Sequence, residues 1–159
     1  MRRIAVGIGL TLAIVAAVCL GARSLVQENP PVVASQIIEA HRAVPPDVEA
    51  ILSRSCRDCH SNQTRWPWYS AVPGIHSMIR QDVERGRKAM NLSDWSSKLA
   101  QGQDEEYGTL NGICENMRAG TMPPIAYRRM HRSAKFSQTD IDAVCHWVES
   151  ATSPEVKLK

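Results

Sequence analysis

A five-residue stretch in the first half of the chain places two cysteines and a histidine at a spacing that could do chemistry. It reads Cys56-Arg57-Asp58-Cys59-His60, which is the C-x-x-C-H pattern. In this pattern the two thiols add across the vinyl groups of a haem, and the adjacent imidazole takes one axial position on the iron. Two sulfurs one helical turn apart can reach two vinyls on the same edge of the porphyrin. The pattern therefore predicts one covalent haem c per chain, held by Cys56 and Cys59, with His60 as an iron ligand.

The same stretch allows two other interpretations. A C-x-x-C pair forms half of many zinc sites, and Cys114 or Cys145 would then complete the ligand set. A C-x-x-C pair is also the reactive sequence of thioredoxin-like redox proteins. We favour haem attachment, because few other uses require two cysteines and a histidine in this order.

Met122 is the strongest candidate for the second axial position on the iron. It follows Gly120, which is placed to end a helix, and it precedes Pro123-Pro124, which hold the backbone extended. A methionine on such a loop can point inward, and the chain after His60 is long enough to travel round the porphyrin before it reaches Met122. The rival candidates are an open iron site, His131, Met130 and Met117.

The elements that must position these residues are predicted to be helices. From Asp47 to Ser55 the apolar residues recur at helical spacing, and this helix delivers both haem cysteines to the porphyrin edge. The other predicted helices are residues 74–90, a short helix from Trp95 to Leu99 capped by Ser93, residues 104–117, and a closing helix that begins with a Ser137-Asp140 capping box. The predicted fold class is all-α.

The segment after the haem motif is polar at first and then aromatic around a proline. Trp66 and Trp68 flank Pro67, and by composition the segment is a loop. We predict that the two indoles form a wall against the porphyrin and that Arg65 binds a haem propionate. The alternative is that both tryptophans belong to an ordinary core.

Four blocks of the sequence resemble the bacterial haem-binding domain family of small cytochrome c-like proteins. They are Cys-x-x-Cys-His-Ser-Asn-Gln-Thr-Arg-Trp-Pro-Trp-Tyr-Ser at residues 56–70, Asp82-Val83-x-x-Gly86-Arg87, Asn91-Leu92-Ser93-x-Trp95 and Met122-Pro123-Pro124-x-x-Tyr127. The resemblance covers residues 29–151 and implies an exported monohaem domain with a cytochrome c-like helical fold. Met122 is similar in position to the axial methionine of class I cytochromes c, and the closing helix resembles their C-terminal helix.

Length, charge and cysteine positions narrow the remaining possibilities. A chain of 159 residues allows one compact domain plus an anchor or tail. A net charge of +3 without a dense Lys/Arg stripe does not fit a nucleic-acid binder, so no nucleic-acid partner is expected. Cys114 and Cys145 fall on helical patterns, and we expect them to be buried small apolar side chains. A disulfide between them is the alternative in an oxidising compartment.

The N-terminus has the pattern of a membrane anchor or signal segment. Arg2 and Arg3 precede an uncharged apolar run over residues 4–20. We favour an uncleaved anchor in the inner membrane with the haem domain in the periplasm, because the arginines stay inside and no good cleavage site follows. Cleavage, which would release the domain into the periplasm, is the alternative. The predicted divisions are an anchor or signal segment over 1–26, a proline-containing linker over 27–46, the haem domain over 47–151 and a flexible tail over 152–159.

Electron transfer is the function that these features favour. His60 and Met122 would fill both axial positions and leave none for a substrate, so we expect a non-catalytic electron carrier that works with redox protein partners. The first alternative is a haem-based sensor or a peroxidase-like enzyme, which requires an open or labile distal position. The second alternative is a zinc-binding module.

Overall fold

The described part of the chain is helical. The computed structural model describes residues 28–72 and 74–153. No residue in these ranges lies in a β-strand, which confirms the predicted all-α class. Two short 3-10 helices, Trp68–Ala71 and Arg132–Ala134, accompany the α-helices. In chain order the α-helices are α1 Ile38–His41, α2 Pro46–Ser55, α3 Arg57–His60, α4 Ile75–Ala89, α5 Ser96–Leu99, α6 Gln103–Arg118, α7 Ile125–Met130 and α8 Gln138–Thr152.

The predicted membrane segment, residues 4–20, lies outside the described residues, as do residues 154–159 of the predicted tail. Among the helices of the described ranges, none combines the length and the apolar character needed to cross a bilayer. The described chain divides into two compact units. The smaller contains residues 66–81, and the larger contains residues 29–65 and 82–153.

The core of the larger unit is built mainly on α2, α6 and α8. α8 packs against both α2 and α6. α2 begins with Pro46, whose missing amide is harmless in a first turn, and it buries one face as its apolar spacing predicts. α1 lies within the predicted linker, and its Ile38 is fully buried in the same core.

The helix ends follow the sequence signals in two cases and depart from them in one. α8 begins with the predicted capping box of Ser137 and Asp140. α6 ends before Gly120, whose φ of 65° is the left-handed conformation expected there. The prediction that Ser93 caps α5 is wrong. Ser93 is 1% exposed, and its hydroxyl accepts a hydrogen bond from the Asn62 amide, so it is turned towards the segment after the haem motif instead.

Cys114 on α6 and Cys145 on α8 form a disulfide. Both residues are buried, as predicted, but the expectation that they would be unbonded is wrong. The contact between α6 and α8 brings their Cα atoms to 5.0 Å, within the range of about 4.4–6.8 Å that a disulfide requires. Sequence alone cannot give that separation.

Candidate functional site

The C-x-x-C-H motif forms a tight helical turn at the end of α2. Cys56 ends α2 and precedes α3, and its carbonyl accepts hydrogen bonds from the amides of Cys59 and His60. These bonds wind the motif into one turn, which sets the two cysteines on neighbouring positions of the same helix surface. The backbone therefore forms the single helical turn that the spacing of the motif predicts.

α4 crosses this turn at Gly86, where the two backbones come into direct contact. A Cβ atom built on Gly86 would lie 2.5 Å from the carbonyl oxygen of Cys59 and 3.1 Å from its Cβ. No side chain fits in that space. Gly86 is thus required by the close approach of α4 to the haem motif.

The ring of His60 is oriented by the backbone beyond α4. Its Nδ1 lies 3.2 Å from the carbonyl oxygen of Met90. Since a carbonyl can only accept, Nδ1 carries the proton and Nε2 is left with a free lone pair. Burial lowers the pKa of His60, against the opposing effect of the Met90 and Gly86 carbonyls. A neutral imidazole with a fixed tautomer is the form that binds a metal.

A cavity of about 370 Å³ lies beside the haem motif. Cys56 and His60 border it, and Met122 and Pro123 border it from a segment much later in the chain. The volume falls within the range of about 300–1,000 Å³ that is typical of cofactor pockets. The structure therefore brings the predicted ligands His60 and Met122 to one cavity. Met122 is 41% exposed, whereas His60 is only partly exposed, so Met122 is the more accessible of the two predicted ligands.

α6 forms another wall of the cavity, and two glycines on it fit a flat group. Gly108 and Gly112 are one turn apart and both line the cavity. A Cβ atom on either would meet nothing within 4 Å, so neither glycine is needed for packing inside the chain itself. Glycine inside a helix costs about 1 kcal/mol relative to alanine. The open space beside both glycines would allow a planar group to lie against α6, and the residues present therefore fit a haem.

The two thiols do not resemble those of a reactive redox pair. Burial raises the pKa of Cys56 to about 12. Burial, followed by the negative charge of Asp58, raises the pKa of Cys59 to about 11. Catalytic C-x-x-C cysteines need a lowered pKa. The thioredoxin-like interpretation is not supported by this environment.

The zinc interpretation also lacks a ligand set in the ranges that the structure describes. No group of three or more His, Cys, Asp or Glu side chains is arranged there to hold a metal ion. Cys114 and Cys145, the predicted additional zinc ligands, are bonded to each other. A disulfide sulfur is not available as a thiolate ligand.

The remaining predicted site residues lie away from this cavity or in the other unit. Arg65 is not among the residues that line the cavity, and its guanidinium contacts the Asp58 carboxylate, with Nε 3.0 Å from Oδ1. Trp66 and Trp68 belong to the smaller unit, where Trp68 is 82% exposed. Propionate binding by Arg65 and a haem wall of indoles therefore stay predictions.

The rival axial ligands are less well placed than Met122. Met130 is 60% exposed, and neither it nor His131 lines the cavity. His131 stacks on Tyr127 instead, with ring centroids 4.1 Å apart. Met117 does line the cavity, but it lies on α6 and is 3% exposed, as expected for a core residue.

The residues between the two haem cysteines carry contacts that the sequence did not reveal. Arg57 is 8% exposed and forms ion pairs with Glu39 and Glu49. Asp58 is 9% exposed and accepts a hydrogen bond of 2.6 Å from the Tyr127 hydroxyl. These three polar contacts fix the haem motif against α1, α2 and α7.

An all-helical domain in which a C-x-x-C-H turn borders a cofactor-sized cavity has the form of a haem protein. A family model described as a haem-binding domain matches residues 15–150. The chain belongs to this haem-binding domain family, which confirms the resemblance seen in its sequence blocks.

One curated protein is similar to part of the chain. The chain is 27% identical over 95 residues to a protein named cytochrome c peroxidase Ccp from Escherichia coli (strain K12). The match covers 60% of this chain but only 20% of that relative, so the chain spans about a fifth of its length. No solved structure matches the chain.

Proposed function

We propose that this protein is an exported monohaem c-type cytochrome-like protein that transfers electrons through a haem ligated by His60 and Met122. One observation carries the proposal. Two side chains that belong to widely separated parts of the sequence, an imidazole with its Nε2 free and a thioether on a proline-held loop, border the same cavity. Imidazole and thioether together are the ligand pair of electron-transferring cytochromes c.

The residues of the chain have distinct parts in this proposal. Each of the thiols of Cys56 and Cys59 would add across one vinyl group, its sulfur bonding one carbon and its hydrogen passing to the other, so that no atom is lost. His60, held by the Met90 carbonyl, would occupy one axial position, and Met122 would occupy the other. When bound, haem would supply an iron that accepts and releases a single electron.

The walls of the cavity favour that use. Ile113, Met117 and Phe136 supply apolar surface, which keeps water from the centre of the cavity. Lys98 also lines it and pairs with Glu105 at 3.0 Å, so charge is present at the border of the cavity. With both axial positions filled by side chains, the protein would expose only a haem edge to its redox partners.

The visible spectrum of the purified holoprotein tests the ligand pair. Met122→Ala should abolish the red charge-transfer band that a thioether gives with ferric iron. Met130→Ala is the matched control, because Met130 is 60% exposed and does not line the cavity. A spectrum that Met122→Ala leaves unchanged would remove Met122 from the site. A pyridine haemochrome assay on Cys56→Ala and Cys59→Ala tests the covalent bonds, since each variant should retain one unsaturated vinyl.

A second candidate function is a haem-based sensor or a peroxidase-like enzyme. Two observations favour it: the similar protein is named a cytochrome c peroxidase, and Met122 is 41% exposed on its loop. Such a function requires Met122 to leave the distal position easily. Carbon monoxide added to the reduced protein separates the candidates, because fast stoichiometric binding supports the sensor or enzyme and resistance supports the carrier.

Export to the periplasm is part of the proposal. The disulfide between Cys114 and Cys145 supports it, because such bonds persist in oxidising compartments. The apolar run over residues 4–20 supports it at the level of sequence. Cell fractionation with the N-terminus intact, followed by mass measurement of the mature chain, would distinguish an anchored protein from a cleaved one.

A further inference from the structure

Asp58 stands between the two haem cysteines in the sequence, and its carboxylate accepts hydrogen bonds from three directions. The Tyr127 hydroxyl donates to Oδ2 at 2.6 Å, while the Arg65 amide and Nε donate to Oδ1 at 3.1 and 3.0 Å. Asp58 is 9% exposed. A buried carboxylate needs such partners, because an unpaired charge in the interior is costly.

Tyr127 belongs to the segment that carries Met122. This segment, residues 121–130, is called here the Met122 arm. It begins where the amides of Thr121 and Met122 bond the Asn116 carbonyl, turns at the buried Pro123, and continues into the short helix α7. Among the described residues, Tyr127 is the one side chain of the arm that forms a hydrogen bond with the haem motif. The arm and the motif are therefore tied at a single polar contact.

We propose that Tyr127 is a positioning residue for Met122, and that its hydrogen bond to Asp58 determines how readily Met122 leaves the iron. The inference rests on the proposed function, since it concerns the axial methionine. Asp58 and His60 lie in the same helical turn. The hydrogen bond from Tyr127 to Asp58 therefore holds the Met122 arm relative to His60, the other proposed ligand. Burial and the Asp58 carboxylate raise the pKa of the Tyr127 hydroxyl, so the donor stays protonated.

The contact can be removed without leaving the carboxylate unpaired. In Tyr127→Phe, Asp58 keeps its three hydrogen bonds from Arg65, which the backbone amide, Nε and Nη2 donate, and the phenyl ring keeps the stacking on His131. The fold and the haem motif should therefore persist. What is lost is the tie between the arm and the motif.

The test is the affinity of the ferric holoprotein for added imidazole, which binds only when Met122 leaves. Tyr127→Phe should raise this affinity about ten-fold, which corresponds to about 1.4 kcal/mol, and should weaken the red charge-transfer band. Tyr107→Phe is the control, because the Tyr107 hydroxyl accepts a hydrogen bond from the exposed Gln103 amide at 2.7 Å and Tyr107 does not line the cavity. It should leave the imidazole affinity unchanged.

A second comparison separates positioning from a general structural effect. In a Met122→Ala background there is no methionine to displace, so Tyr127→Phe should change the imidazole affinity by less than two-fold. An unchanged affinity in the parent background, or an equal rise in both backgrounds, would overturn the inference. If Tyr127→Phe yields no holoprotein, Asp58→Ala, which removes the acceptor of the Tyr127 hydroxyl, must show the rise in its place, and the absence of a rise would also overturn the inference. If the parent lacks the charge-transfer band and Met122→Ala has the parental imidazole affinity, the proposed ligand pair fails as well.

Discussion

Gly86→Ala is the substitution whose effect follows most directly from the structure. The added Cβ would lie 2.5 Å from the Cys59 carbonyl oxygen and 3.0 Å from its carbonyl carbon. Ordinary van der Waals contact begins near 3.4 Å, so the two backbones would have to separate by about 0.9 Å. Neither side can yield by a rotamer change, because the nearest atoms are backbone. The strain must displace either α4 or the haem motif.

Two opposing effects decide the magnitude. Alanine is favoured over glycine inside a helix by about 0.8–1.0 kcal/mol. Overpacking a well-filled site costs about 1–3 kcal/mol, and a backbone contact belongs at the upper end of that range. We therefore expect Gly86→Ala to lower the free energy of unfolding by about 2 kcal/mol. We also expect a lower yield of holoprotein, because the displaced atoms belong to Cys59.

Urea unfolding followed by far-UV circular dichroism measures the first effect, and pyridine haemochrome per mole of protein measures the second. Lys88→Ala is the matched control, since Lys88 is exposed on the same helix and its change tests helix propensity alone. A Gly86→Ala protein that is as stable as the parent or more stable would refute the reasoning. It would mean that α4 does not approach the haem motif at backbone distance.

Three further predictions follow from contacts in the larger unit. Replacing Cys114 and Cys145 by serine removes a disulfide that closes a loop with a sequence separation of 31 residues. Because the unfolded chain gains conformational entropy, the free energy of unfolding measured in urea should fall by about 3.7 kcal/mol. A loss below about 1 kcal/mol would contradict this prediction. Glu106 is 1% exposed, and although burial raises its pKa, the hydrogen bonds from Arg42 and Trp95 outweigh burial and leave the pKa lowered. The contribution of the Glu106 carboxylate to stability is thus complete above the ordinary glutamate pKa of about 4.3 and is lost as the pH falls through the lowered pKa. Glu106→Gln should therefore lower the free energy of unfolding by about 3 kcal/mol at neutral pH and make it less dependent on acid pH. The leucine side chain of Gly112→Leu should fill part of the cavity and lower the haem content at least several-fold. The helix content, measured by circular dichroism, should change little. A haem content equal to that of the parent would show that α6 does not border the cofactor.

The longer helices were predictable because each carries its own local signal. The apolar spacing of α2 and the Ser137-Asp140 capping box of α8 are readable within a few residues of sequence. The place of Met122 beside the cavity was predictable for a related reason, because Gly120 and the two prolines fix the backbone around it, whereas its role as an iron ligand stays a prediction. These signals depend on the chain over one or two turns, and tertiary packing did not override them.

The tie between Asp58 and Tyr127 gives no such signal. The two residues are 69 positions apart, and neither lies on an apolar stripe, so no periodicity links them. The sequence could not favour the disulfide over unbonded cysteines for the same reason, since two cysteines on different helices pair only if the helices cross at the right level. The close contact at Gly86 could be predicted only in part. A single glycine inside a helical pattern signals a close approach, but the sequence does not identify the atoms it approaches.

The contacts around the cavity are distributed unequally between the two proposed axial ligands. The His60 side is fixed by the Gly86 contact, by the Met90 carbonyl and by the ion pairs of Arg57. The Met122 side depends on the Asn116 carbonyl, the buried Pro123 and one hydrogen bond to Asp58. Because a close contact between two backbones and two ion pairs of a buried arginine must break to move the first side, substitutions in the Met122 arm should alter ligand exchange before they alter haem attachment. A family of such domains could then change from electron carriers to ligand-binding proteins by substitutions in the arm alone, with the C-x-x-C-H turn unchanged.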